Sequence, residues 1–440
     1  FGFPTDPRTV NQLKAVSDKL NTGAKTIEVS GITPQQLESI PDQHLTEINR
    51  LKKLVGVDLT FHGPLIEPTG LTRQGWSEDS REQTERQMWS AVQRAHKLDP
   101  DGNIVITFHS STQLPETETK VIDAKTGKEQ IKEVLVFNEK EGRIGSIPIQ
   151  ENYFMSEKIP EKIEDQIKIV EKKLDDHNKQ DWFRKLQSVS FHANEGSKHV
   201  ENALARRQIG EEGKGGEIKI DKTLLEVYKH GGDADKYIES LDDKTKKQVK
   251  RELQEIAHGD IYLRDAYQNL QALFNEAYAV AKKRDDEEGK RDLTKLNSFR
   301  NEMEGKIGYI EKKEKLDEFA EMIVKGVGVL NSLDVAPQTF KPLRNFAIDK
   351  SSDTFSGLAF NAYKNFKNSA PIISIENPPA GSGLSRASDL KELVKDSRNK
   401  LEQRFVSEMG MGKDEAKRQA EKMIGVTWDV GHINMIRKFG

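Results

Sequence analysis

Two stretches of the chain, VDLTFHGPL (57–65) and NIVITFHSS (103–111), each run through apolar, β-branched residues to Phe-His and then turn. His62 and His109 therefore fall where a strand stops. Two later stretches repeat the placement: APIISIENPP brings Glu376 to the end of an apolar run, and VTWDVGH does the same for Asp429 and His432. The chain has no cysteine, so a metal could be held only by imidazole and carboxylate. A single histidine at a strand end is ordinarily a hydrogen-bonded structural residue. Successive strand ends that all carry ligand-type groups read instead as one metal site of His62, His109, Glu376, Asp429 and His432. That donor set suits Zn²⁺, Mn²⁺ or Fe²⁺.

These groups can act together only if their strands run parallel and end at a common edge. Strands are expected at residues 1–4, 26–32, 57–61, 103–108, 371–375 and 426–428, with helices between them. The first helix is expected to start at a Thr5 or Asp6 cap, with Pro7 in its first turn, and to stop at Gly23. The second is interrupted at Pro41, the third is capped by Ser77 or Asp79, and the last is broken near Gly410 and Gly412. This strand–helix rhythm defines an α/β fold with a parallel sheet or barrel.

The rhythm stops after residue 112. Residues 113–155 alternate apolar and polar around the turn signals AKTGKE and NEKEGR and read as a β-ribbon. Residues 156–345 carry apolar residues at helical spacing in a strongly charged background and read as a large helical insertion. Within it, GEEGKGGE lacks the Gly-Lys-Ser/Thr ending of a phosphate loop and is expected to be a linker. His192 and His199, in SFHANEGSKHV, are assigned to a solvated loop. The strand–helix rhythm resumes over residues 346–440.

Charged residues make up 32% of the 440, yet the net charge is only −3, which excludes a globally basic nucleic-acid binder but not a local basic groove. No apolar run approaches the ~20 residues that span a bilayer, and no signal segment is visible, so a cytoplasmic chain without membrane contact is expected. Phe1 in place of Met points to a processed or excised fragment.

The ordered set FHGPL, TFHSS, IENPPAGSG and DVGH resembles the xylose-isomerase-like TIM barrels, and among them the endonuclease IV family of zinc apurinic/apyrimidinic endonucleases. The resemblance covers residues 1–112 and 346–440 and excludes the ribbon and the helical insertion. It implies a TIM (β/α) barrel, incomplete at six strands, that hydrolyses a phosphodiester beside an abasic site in DNA. It further implies that His62 and His109 hold one Zn²⁺, that Glu376 bridges it to a second shared with Asp429, and that His432 reaches a third. Glu376 and Asp429 would be the catalytic carboxylates, and Asn377 an amide that either supports a metal ligand or positions the substrate. Apart from the resemblance, the long loop after His62 carries Arg73 and Trp76, which either insert beside a substrate or serve plain packing. The family's remaining ligands lie on two further strands, which this chain does not reach. The family's Pro-Gly after the second histidine is Ser110-Ser111 here, and an extra proline follows Asn377.

Two other functions are open at this stage. A sugar or sugar-phosphate isomerase or epimerase would hold a single Mn²⁺, Mg²⁺ or Co²⁺ on Glu376 and Asp429, with His62 and His109 contacting substrate hydroxyls. Alternatively, the barrel is a non-catalytic scaffold, and the helical insertion binds a protein partner.

Overall fold

The alternation within each strand sorts its residues onto two faces. In β2 (Thr26–Ser30), Ile27 and Val29 share one face, and Glu28 and Ser30 the other. β3 (Asp58–His62) separates Leu59 and Phe61 from Thr60 and His62, and β4 (Val105–His109) separates Ile106 and Phe108 from Thr107 and His109. β9 (Ile372–Glu376) separates Ile373 and Ile375 from Ser374 and Glu376. The apolar set is buried against Val16, Ile48, Met88, Val92, Phe355, Leu358 and Leu393 of the intervening helices. With β1 (Gly2–Pro4) and β10 (Ile424–Thr427), these strands form a six-stranded sheet in the order β1-β2-β3-β4-β9-β10, with every pair parallel.

Spatial order thus follows chain order. The intervening helices bury their apolar residues against one face of the sheet, the apolar one, the arrangement that crossovers of a single hand produce. The opposite face is polar from β2 to β10. Register aligns the polar residues: Ser30 pairs with His62 and His62 with Thr107, while His109 pairs with Glu376 and Glu376 with Thr427. His62, His109 and Glu376 are each the last residue of a strand, one position beyond the edge that the apolar runs alone indicate.

The structure is a computed structural model that describes residues 2–122, 127–149, 159–160, 162–211, 238–239, 242–304, 306 and 316–435. Most of GEEGKGGE and part of AKTGKE lie outside these residues. The chain divides into two compact units, one of Phe1–Leu174 with Phe340–Gly440, the other of Asp175–Thr339. Among the described residues no helix is long and apolar enough to cross a membrane.

The helices of the first unit follow the capping signals, with one exception. Ser77 caps the helix Glu78–Leu98, Pro41 separates Pro34–Ser39 from Asp42–Val55, and Gly410 closes Ala387–Met409 in the left-handed conformation. The first helix, however, begins at Gln12 under an Asn11 cap and not at Thr5 or Asp6. Asp6 is engaged by Arg8, and the Gln12 amide donates to the Asp6 and Thr9 carbonyls, which folds residues 5–11 into a turn.

The ribbon is an antiparallel sheet of β5 (Glu118–Ile122), β6 (Glu129–Asn138) and β7 (Arg143–Pro148). A further strand, β8 (Phe340–Pro342), pairs with β6 and leads into the helix Leu343–Phe366.

The second unit contains the helices Asp243–Lys283, Glu287–Met303 and Leu316–Asn331 and most of Ile163–Glu211. Its core repeats at three- and four-residue steps on two helices: Trp182, Leu186, Val189, Ala193 and Val200 on one, Ile256, Leu263, Ala266, Leu270 and Leu273 on the other. That is the seam of a coiled coil. Gly196 and Gly259 occupy the seam where the helices approach most closely: a Cβ on Gly196 would stand 2.7 Å from Leu263 Cγ, and one on Gly259 2.9 Å from the Gly196 carbonyl. His192 and His199 lie on the first of these helices, not in a loop, and pair with Asp265 and Glu255 of the second at 2.5 and 2.6 Å.

Candidate metal centre

His62 Nδ1 lies 2.8 Å from the Gly63 carbonyl. A carbonyl only accepts, so Nδ1 carries a hydrogen in either charge state, and it is the Nε2 proton that a metal ion would displace. That Nε2 is 3.2 Å from Glu376 Oε2, and His109 Nε2 is 3.2 Å from the same oxygen. The two imidazoles meet edge to face, with centroids 5.4 Å apart. Gly63 is required here, because a methyl group at that position would lie 2.3 Å from Cε1 of the buried Phe108 ring.

Asp429 and His432 approach Glu376 from the end of β10. Asp429 caps the short helix Val430–Asn434, its Oδ1 accepting from Gly431 N at 2.6 Å and His432 N at 3.3 Å. His432 Nδ1 donates to the Asn377 carbonyl at 2.8 Å, which leaves its Nε2 lone pair free. The ligand atoms of His62, His109 and Glu376 all lie within 4.8 Å of one another, and so do those of Glu376, Asp429 and His432. Glu376 belongs to both groups. Imidazole nitrogens and carboxylate oxygens at this spacing fit a divalent transition ion. His432 falls in the group of Asp429 and Glu376, where the resemblance assigned it to a separate third ion.

Both amide atoms of Asn377 are taken up by the Asp429 backbone. It is fully buried, donating from Nδ2 to the Asp429 carbonyl at 3.0 Å and accepting at Oδ1 from Asp429 N at 2.7 Å. With both amide atoms engaged, it is a positioning residue that clips the end of β10 to the end of β9. Trp76 is likewise occupied. Its indole N–H donates to the Thr69 carbonyl at 2.8 Å, its ring meets Phe137 and Phe346 edge to face, and Lys350 Nζ stands 4.9 Å from its centroid. It packs the loop after β3 against the ribbon and the helix Leu343–Phe366. Arg73, on the same loop, is exposed and has no ion pair among the described residues.

Two other features hold the loops at this edge. Ser110 and Ser111 are buried and donate to the Leu384 and Gly383 carbonyls at 3.0 and 2.5 Å, fixing the AGSG loop. Glu67 is 5% exposed, and its Oε2 accepts from the backbone N–H groups of Thr112 and Gln113 at 2.8 Å each, tying the loop after β3 to the loop after β4. The only sequence signal for Glu67 is a charged residue between Ile66 and Pro68.

Electrostatics follow from this geometry. Burial acts to raise the Glu376 carboxyl, but the hydrogen bonds from His109 and His62 outweigh it and hold it at about 2. Burial acts to lower His62, but its bonds to Glu376 and Gly63 and the charge of Glu28 raise it above the usual histidine value. The Glu28 carboxyl is raised by burial, opposed by His62 and reinforced by Glu376 and Asp429.

These shifts set a pH window for the protein after chelator treatment. Glu376 contributes stability above its unfolded value of 4.5 and loses it as pH falls towards about 2. His62 contributes fully below its unfolded value of 6.5 and loses that contribution as pH rises through its elevated folded value. Thermal unfolding of EDTA-treated protein is therefore expected to show the pair's largest contribution between pH 4.5 and 6.5, declining on both sides. The same scan of Glu376→Gln should lack that maximum, and an unchanged profile would disprove the coupling.

Protein-family models, curated proteins and solved structures were all compared with the chain, and none matches.

Proposed function

We propose that the chain forms the metal-holding part of a divalent-metal phosphodiesterase of the endonuclease IV type, built on the first six strands of a xylose-isomerase-like (β/α) barrel. The topology supports the barrel reading. A doubly wound sheet reverses its strand order and places helices on both faces, whereas this order is monotonic and the face opposite the helices is polar. The observation that carries the function is Glu376, a carboxylate common to two donor groups. A shared carboxylate is the means by which proteins hold two cations ~3.5–4 Å apart.

His62 and His109 would hold one ion, Asp429 and His432 the other, with Glu376 between them. Bound there, Zn²⁺ or Mn²⁺ would polarise a phosphoryl oxygen and generate a hydroxide nucleophile near neutral pH. The chain's own part is orientation: the Gly63 and Asn377 carbonyls fix the tautomers of His62 and His432, and Asn377 sets the distance of Asp429 from Glu376. Arg73 is the exposed cation of the loop after β3 and would contact a phosphate.

Metal analysis after dialysis against Zn²⁺ should give two ions per chain, and the loaded protein should nick an oligonucleotide containing one abasic site. Full loading without cleavage would sink the nuclease reading.

One observation favours the isomerase reading as second. Several cations near this edge are already neutralised: Arg386 by Glu118 and Glu116, Lys120 by Glu129, and Arg8 by Asp6. A polyanionic duplex depends on such cations for affinity, and a small sugar does not. One bound ion with aldose–ketose interconversion would decide for it.

A further inference from the structure

Glu28 is the residue of the polar face that the proposed metal groups leave unused. It lies on β2, two residues before Ser30, whose register partner is His62. Its carboxylate is half-buried and has no hydrogen-bond or ion-pair partner among the described residues. The Ser30 backbone N–H donates to Thr5 Oγ1, while the Ser30 hydroxyl makes no hydrogen bond among the described residues. Both side chains line a cavity of about 310 Å³ that also includes His62, and whose other walls include Pro4, Pro7 and Leu65.

A half-buried carboxylate without a partner is costly unless a ligand supplies the missing donor. The walls here are largely apolar, and they include an acceptor, a hydroxyl and a candidate metal ligand. A neutral ring bearing hydroxyls satisfies each of these: C–H faces on the prolines and leucine, and an O–H donated to Glu28. A phosphate does not, because it would place a second anion against the carboxylate. Carboxylates select a ribose hydroxyl over a phosphorylated one by the same physics.

We propose that the cavity bounded by Glu28, Ser30 and His62 is a subsite for an uncharged, hydroxyl-bearing sugar ring of the substrate. This rests on the metal reading for what lies beside the cavity, and it deepens that reading. It assigns the sugar to the β2 side of the centre and leaves any phosphate to the side of Asp429, at the other end of the strand order. Glu28 then acts by accepting a hydrogen bond from the ring, and sets which ring enters.

The test uses the full chain reconstituted with Co²⁺, whose visible spectrum reports uptake by the histidines directly. Binding of D-ribose, of inorganic phosphate and of methylammonium is followed separately by ligand-observed NMR. D-ribose is expected to compete for this cavity. Glu28→Gln keeps the volume and removes the charge, and should weaken ribose by about tenfold, the loss expected for a charge-assisted hydrogen bond, while phosphate binding tightens. Ser30→Ala should weaken ribose by a smaller factor, which guards against misreading a folding defect in the first variant. Equal ribose affinity in the wild type and Glu28→Gln would overturn the proposal. So would a wild-type preference for methylammonium or phosphate over ribose. A protein that takes up no Co²⁺ would refute the metal reading alone, and the ribose comparison would still decide the subsite.

Discussion

Glu376→Gln is expected to abolish binding of both cations while the fold survives. Glutamine matches the volume of glutamate and can still accept at its amide oxygen from the Nε2–H of a protonated His62 or His109, so the polar face keeps its packing. The anionic bridge is lost. Glu376 is the one residue common to the two donor groups, so a single substitution removes a ligand from each, and the imidazoles lose the negative charge opposite them. Loss of an outer partner of a metal ligand ordinarily costs about 10–100-fold in affinity, and loss of a shared ligand should exceed the upper end of that range. Equilibrium dialysis with metal analysis should find less than one ion per chain under conditions that load the wild type fully, with unchanged far-ultraviolet circular dichroism. His432→Ala should remove only one ion. If Glu376→Gln retained two ions, Glu376 would not bridge, and the two-ion reading would fail with it.

The parts of the molecule set by local chemistry were legible in the sequence. Ser77, Pro41 and Gly410 act where side-chain caps, a missing N–H and a left-handed backbone require them. The β-branched runs mark every strand of the parallel sheet except β1, which is Gly-Phe-Pro. Three runs ended one residue early because apolarity marks only the residues that face the helices. His62, His109 and Glu376 continue those strands on the other face, and Glu28 within KTIEVS was the unused sign that this face is polar. Non-local pairing hid β8, three residues that become a strand only because Val136–Asn138 of β6 lies beside them. Gly196 misled in the opposite direction. A glycine beside two histidines suggests a loop, whereas here its missing side chain lets one helix approach Gly259 of another. Asn377 and Trp76 were singled out as chemically capable residues, which they are, but burial directed their polar atoms to the backbone.

Asn377→Ala should separate the two halves of the centre. The Asn377 side chain is the clip between β9 and the Asp429 segment, meeting both the N–H and the carbonyl of Asp429. Its removal costs the fold only about 1 kcal/mol per hydrogen bond, since Asp429 is partly exposed and water can replace part of the loss. The effect on the ligands is more selective. Asp429 and His432 hang from this clip, and a displacement of either carries its donor atom away from Glu376. His62 and His109 are set by the strand ends and by the Gly63 carbonyl, which the substitution does not touch. Titration with Co²⁺ should therefore show one ion bound as in the wild type and the other weakened by about 10–100-fold. Asn377→Asp should also fail to restore the second ion despite its added carboxylate, because it loses the Nδ2–H donor and sets an oxygen against the Asp429 carbonyl. Equal weakening of both ions would mean that Asn377 supports the sheet edge as a whole. No weakening of either would mean that Asp429 and His432 reach Glu376 without the clip.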